Sequence, residues 1–127
     1  MKGSCLCGAV RYEVAGPARS VVACHCGQCR KTSGHYVAAT QVARGDLTVS
    51  GEAALRWFRS SPTAERGFCG TCGSQMFWRP VGRGVVSIMA GSIDGPTGLT
   101  MDRQIFAESR GDYYDAPAIP QIEPGAL

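Results

Sequence analysis

The chain has 127 residues and a formal charge of +3, with 44% hydrophobic and 18% charged residues. That length makes one domain, and the balance is that of a globular protein, which sets intrinsic disorder aside. The charge is weak and dispersed, with Arg30-Lys31 the only adjacent basic pair, so nucleic acid is not expected as a partner, and no apolar run approaches a membrane span.

Glycine (17 residues) and proline (7 residues) recur throughout and cut the chain into short pieces. Val10 to Val14 alternates apolar and polar residues and predicts a strand. Val21 to Ala23 predicts another, running into a cysteine cluster. Residues 26–33 predict one short helix or turn. Tyr36 to Val42, Leu47 to Val49, Leu55 to Phe58, Gln75 to Trp78 and Val85 to Met89 predict further strands. A single helical turn is expected over Thr97 to Met101, after Pro96, and a short last strand over Gln104 to Ala107. Phe58, Phe68, Phe77 and Trp78 read as core. Residues 116–127 are rich in Pro and Gly and read as an extended or loose tail. The sum is a mainly-β single domain over 1–127, built of small sheets with the cysteines on turns between strands.

The seven cysteines carry the chemistry. They fall into three groups: Cys5-Leu6-Cys7, Cys24-His25-Cys26-Gly27-Gln28-Cys29 and Cys69-Gly70-Thr71-Cys72. An odd count leaves one over from any disulfide framework, and cysteines two positions apart on an extended strand make strained disulfides. Residues 1–4 leave no room for a leader before Cys5, which points to the reducing cytoplasm, where disulfides are rare. Metal binding is the better use of these thiols. The first and third groups each offer two thiolates followed by a glycine. Together Cys5, Cys7, Cys69 and Cys72 make a closed four-sulfur set of the structural zinc type. It would clip the N-terminal strand to the middle of the chain.

The second group, Cys24, Cys26 and Cys29, supplies three sulfurs and leaves a fourth position, which is the mark of a reactive zinc site. His25 is read as a packing or supporting residue more than as a ligand. A second structural site closed by His35, or a redox dithiol of Cys26 and Cys29, are the competing readings.

These residues resemble the glutathione-dependent formaldehyde-activating enzyme family, which also includes centromere protein V. The resemblance runs through Gly3-Ser4-Cys5-Leu6-Cys7-Gly8-Ala9-Val10-Arg11-Tyr12, then Cys24-His25-Cys26-Gly27-Gln28-Cys29-Arg30-Lys31. It continues through Phe68-Cys69-Gly70-Thr71-Cys72-Gly73-Ser74 and Ala90-Gly91-Ser92-Ile93-Asp94-Gly95-Pro96. It implies a β-tent-like fold of small antiparallel sheets, clipped by zinc. It implies two zinc ions per chain, a structural one on Cys5, Cys7, Cys69 and Cys72 and a second at Cys24, Cys26 and Cys29. The activity it implies is a carbon–sulfur lyase, condensing formaldehyde with glutathione to S-hydroxymethylglutathione. The sequence departs from the family near its end, with Gln104 where a His is frequent and Tyr113 and Tyr114 where a Trp is common.

On this reading Cys24, Cys26 and Cys29 are catalytic, through the metal they hold. Arg30 and Lys31 follow directly and are candidates to grip the carboxylates of a glutathione-like thiol. His35 is a candidate acid–base group in the same pocket. The alternative is a non-enzymatic zinc module that binds a protein or other partner. A metal-responsive thiol switch is a third reading, and an oligomer is left open.

Overall fold

The structure is a computed structural model that describes residues 1–127. Ten strands and one helix follow in order: β1 Lys2–Ser4, β2 Arg11–Val14, β3 Val21–Cys24, α1 Gly27–Ser33, β4 Val37–Ala43, β5 Leu47–Ser50, β6 Leu55–Ser61, β7 Ala64–Cys69, β8 Gln75–Pro80, β9 Val85–Met89 and β10 Met101–Ile105. They form two sheets. The smaller has the order β1-β2-β5 and the larger β10-β3-β4-β9-β8-β7-β6. Pairing is antiparallel except between β10 and β3, which run parallel with Met101 opposite Val21 and Ile105 opposite Cys24. The fold is mainly β, as expected, with one large mixed sheet beside the small one.

β2 shows why the sheets close on each other. Its alternation puts Tyr12 and Val14 inward and Arg11 and Glu13 outward. Tyr12 meets Phe77 edge to face at 5.4 Å, and its hydroxyl pairs with Ser92 Oγ at 2.7 Å, satisfying a polar tip that burial would otherwise penalise. Val10, Val14, Val42, Met76, Val86 and Ile88 complete this core. β1 has no apolar side chain of its own. It pairs through Gly3 opposite Tyr12, where any Cβ would strike the Tyr12 ring.

The larger sheet has two unlike faces, because residues paired across strands share a side. Trp57, Gly67 and Phe77 are in register on the face toward the core, and Phe58, Arg66 and Trp78 on the other. The second face continues through Ser87, Gln41, Ala39, Val37 and Cys24, and α1 lies against it through Cys29, which packs with Val37 and Ala39.

Several expectations are corrected. Thr97 to Met101 forms no helical turn: Gly98 sits at φ +68, and the chain runs without regular structure into β10. The last strand is Met101–Ile105, not Gln104 to Ala107; Ala107 begins a short 3-10 turn. Phe58 is 62% exposed, because Trp57 takes the core-facing position of the edge strand β6. Phe68 and Trp78 are only half-buried. Within 116–127 the chain has one bridge residue, Gln121, and a 3-10 turn over Pro124–Ala126, and it is held at several points. Gln104 donates to the carbonyls of Pro117 and Ile119, and the Ile122 amide donates back to the Gln104 carbonyl.

Candidate functional site

The first cysteine cluster stands where the turn after β1 meets the end of β7. Cys5, Cys7, Cys69 and Cys72 place their sulfurs within 4.8 Å of one another. The Cys5–Cys7 and Cys7–Cys69 sulfurs are 3.6 Å and 3.8 Å apart. Sulfurs arranged tetrahedrally at about 2.3 Å from one zinc ion lie roughly 3.8 Å apart, so the donor set fits. Backbone amides point at it: Val10 N–H to Cys5 at 3.3 Å, Thr71 and Cys72 N–H to Cys69 at 3.4 and 3.5 Å. The Ser74 hydroxyl lies 3.2 Å from Cys72 Sγ, and together with the Ser74 and Cys7 backbones it lowers the Cys72 thiol to about 5. Burial opposes ionisation of Cys5, but the Val10 amide and the neighbouring Cys7 and Cys69 sulfurs outweigh it and bring its pKa down.

The second cluster is carried by β3 and α1. Cys24 ends β3, Cys26 is the N-cap of α1, and Cys29 lies in the helix's first turn. The Cys26 sulfur accepts the Cys29 amide at 3.4 Å, the ordinary capping bond with sulfur in place of oxygen. Gly34 closes the helix at φ +82, with its amide bonded to the Arg30 carbonyl at 2.8 Å. The three sulfurs lie within 4.8 Å of one another, and no fourth His, Cys, Asp or Glu joins them. The thiols of Cys24 and Cys29 donate toward Cys26 and pull its pKa down to about 2, while Cys24 is pushed up by the same sharing.

The other candidates are placed unequally. Arg30 is half-buried, and its Nε is buried without a hydrogen-bond partner. Lys31 is exposed and makes no ion pair. His35 is also exposed, its ring 4.2 Å from Tyr36 and 4.4 Å from Tyr114, centroid to centroid. His25 is fully buried and points away from the cysteines on either side. Its Nε2 is 2.9 Å from Gln104 Oε1 and its Nδ1 2.7 Å from the Tyr114 hydroxyl. Both ring nitrogens are thereby occupied, and burial lowers the ring's pKa, favouring the neutral form. Gln104 and Tyr114, two of the positions at which the sequence departs from the family pattern, are thus the two partners of one histidine.

Arg66 is the residue that the sequence did not single out. It is 6% exposed, in the middle of β7. Its Nη2 donates to Cys29 Sγ at 3.6 Å and to Gln28 Oε1 at 3.3 Å. Nothing in Ala64-Glu65-Arg66-Gly67 marks it as buried; only the register of β7 against β6 and β8 turns it toward α1.

Two surface recesses lie elsewhere. One of about 450 Å³ is lined by Arg44, Leu47, Trp57 and Arg79, among others, and one of about 510 Å³ by Ser4, Cys5, Ser74 and Asp94, among others. Neither includes Cys24, Cys26 or Cys29. No helix is long and apolar enough to cross a membrane.

Comparison with known proteins agrees over most of the length. Residues 1–109 match the family model described as glutathione-dependent formaldehyde-activating enzyme. An uncharacterized lyase of Schizosaccharomyces pombe is 28% identical over 116 residues, spanning 90% of this chain and 83% of the relative. The crystal structure of a Rhodobacter sphaeroides protein superposes with a TM-score of 0.62 at 25% identity, over 96% of this chain and 100% of that one.

Proposed function

The chain belongs to the glutathione-dependent formaldehyde-activating enzyme family, and from that premise we propose that it is a zinc-dependent carbon–sulfur lyase acting on a small thiol adduct such as S-hydroxymethylglutathione. The observation that carries this is the inequality of the two clusters: four sulfurs converge in one, and three in the other with no fourth side-chain donor. The family and the lyase-named relative support the reaction class. Seven cysteines, all free, support a reducing compartment, the cytoplasm.

In this reading Cys5, Cys7, Cys69 and Cys72 hold a structural zinc, and Cys24, Cys26 and Cys29 hold a second one. A zinc held there would supply Lewis acidity that lowers the pKa of a substrate thiol. In the direction of adduct formation the thiol sulfur bonds to the aldehyde carbon. The carbonyl π electrons move to oxygen, which takes up a proton in place of the one the thiol lost. The reverse reaction breaks the carbon–sulfur bond and returns both. Arg30 and Lys31, on α1 immediately after Cys29, grip the carboxylates of the thiol. His35, at the helix's C-terminal edge, passes the proton to or from the oxygen.

Calorimetric titration with glutathione, cysteine and a thiol lacking carboxylates tests this reading. Binding is expected to tighten as pH rises toward the thiol's pKa, because the bound form is the thiolate. Arg30→Ala is expected to weaken glutathione by roughly 1–3 kcal/mol and the carboxylate-free thiol hardly at all. If no thiol binds the zinc-loaded protein at any pH, the lyase reading fails. The alternative, a zinc module that docks a protein or other partner, would then lead. It has one observation on its side: Leu6 and Phe58 stand 88% and 62% exposed.

A further inference from the structure

Arg66 has no carboxylate partner. The ion pairs of the structure are Lys2–Glu13, Arg59–Glu65, Arg79–Glu65 and Arg103–Asp102. A buried guanidinium without an anion is costly, and arginine does not escape by losing its proton. The side chain is nonetheless 6% exposed, with its Nε buried and unpartnered. The one group it touches that can carry negative charge is the Cys29 sulfur, 3.6 Å from Nη2. Its second contact, Gln28 Oε1, is neutral, and Gln28 is itself fixed by donating to the Ser60 carbonyl of β6 at 3.1 Å. The guanidinium is therefore held between a fixed amide and a cysteine, on the sheet face that it shares with Phe58 and Trp78.

From this geometry we infer that Arg66 is a positioning residue for the three-cysteine cluster, the fixed countercharge that orients the Cys29 sulfur and biases the site toward anionic ligands. The inference rests on the reading of that cluster as a metal site and adds a determinant of its ligand preference. A dication on three thiolates is a formal monoanion. One more anionic donor raises that charge, and a cation 3.6 Å from one of the sulfurs offsets it. The four-cysteine cluster has no such device, since its donors are backbone amides and one hydroxyl. Outer-sphere partners of this kind orient metal ligands and tune the metal they hold.

The test is cobalt(II) titration of the reduced, metal-free chain, comparing wild type with Arg66→Met, Arg66→Lys and Arg66→Gln, and using Cys26→Ser to identify the second-site signal. Wild type is expected to take two ions per chain. Arg66→Met is expected to keep the first and to bind the second about 10- to 100-fold more weakly. Its thiolate-to-cobalt charge-transfer band should move to longer wavelength, because Cys29 has lost both a hydrogen bond and a nearby positive charge. Arg66→Lys should stay near wild type, and Arg66→Gln should follow Arg66→Met. The first ion doubles as a control on strand integrity, since Cys69 lies on β7 with Arg66. If Arg66→Met does not fold, the Lys and Gln pair decides, and equal second-site affinities would overturn the inference. Second-site affinity within threefold of wild type and an unmoved band in Arg66→Met would overturn it too, leaving two metal sites intact. A wild-type chain that takes one ion only would overturn the metal reading of Cys24, Cys26 and Cys29, and the role of Arg66 with it.

Discussion

The two cysteine clusters of this chain solve the same problem with different donors. At Cys5, Cys7, Cys69 and Cys72, segments far apart in sequence are brought together, and peptide N–H groups carry the sulfur charge. At Cys24, Cys26 and Cys29 the ligands come from one short stretch, and a side-chain cation from a distant strand sits against one of them. A metal clip between remote segments would contribute to folding, because it closes a long loop. A site made within one β-strand and the helix that follows depends on the fold but does not hold it up. On the proposed reading, the difference teaches that equal chemistry, thiolates converging on a cation, would be spent on stability in one place and left available for reaction in another.

The largest effect expected from breaking this contrast is at the clip. Cys69→Ser should lose the first metal and most of the domain's stability, which for a domain of this kind is about 5–15 kcal/mol in total. Cys26→Ser should leave the circular dichroism and the melting transition close to wild type while one metal per chain disappears from elemental analysis. Equal collapse of both variants would mean that both clusters are structural.

A smaller effect separates the supports of the two clusters. His25→Ala strands the side-chain Oε1 of Gln104 and the Tyr114 hydroxyl beneath the second cluster and should cost about 1–3 kcal/mol in chemical denaturation. Ser74→Ala removes a hydroxyl that lies against Cys72 and also accepts the Leu6 amide at 3.0 Å. About 1 kcal/mol is expected there, with no change in the second metal.

The smallest lies outside both clusters. Glu65 is held below its ordinary 4.5, chiefly by the hydrogen bond from Arg79 at 2.8 Å. A depressed carboxyl stabilises the fold above its unfolded pKa, and that contribution is lost as pH falls through the folded value. The melting temperature should therefore decline as pH drops below 4.5, and less steeply in Glu65→Gln. Identical slopes would mean that the Glu65–Arg79 pair contributes nothing measurable to the decline.

How much of this was legible in the sequence follows from what each signal encodes. β2 was plain because its residues alternate between core and solvent, and β9 because it is a short apolar run buried on both faces. The three cysteine groups were plain because ligand spacing is a local property. β7 was missed, since Glu65-Arg66-Gly67 carries no apolar alternation; its two buried middle residues, on opposite faces, are an arginine against a sulfur and a glycine that makes room for Trp57. β1 was missed because it owes its place to pairing with β2. Phe58 was misread because an edge strand buries one side only, and Trp57 holds it. The partners of His25 arise from pairing between residues remote in the chain, which no local pattern records.

The parallel pairing of β10 with β3 has a consequence for the order in which the molecule is completed. β3 can pair with β4 soon after both leave the ribosome, but its other edge waits for residues 101–105. The His25 amide, bonded to the Ile105 carbonyl at 3.1 Å, and the His25 ring, bonded to Gln104 and Tyr114, wait with it. A nascent chain thus displays Cys24, Cys26 and Cys29 until residues 101–114 have emerged and the floor beneath them can form. Contacts between such distant segments form slowly, so the second cluster would be finished late, after the clip at Cys69 and Cys72 has emerged and could already have closed.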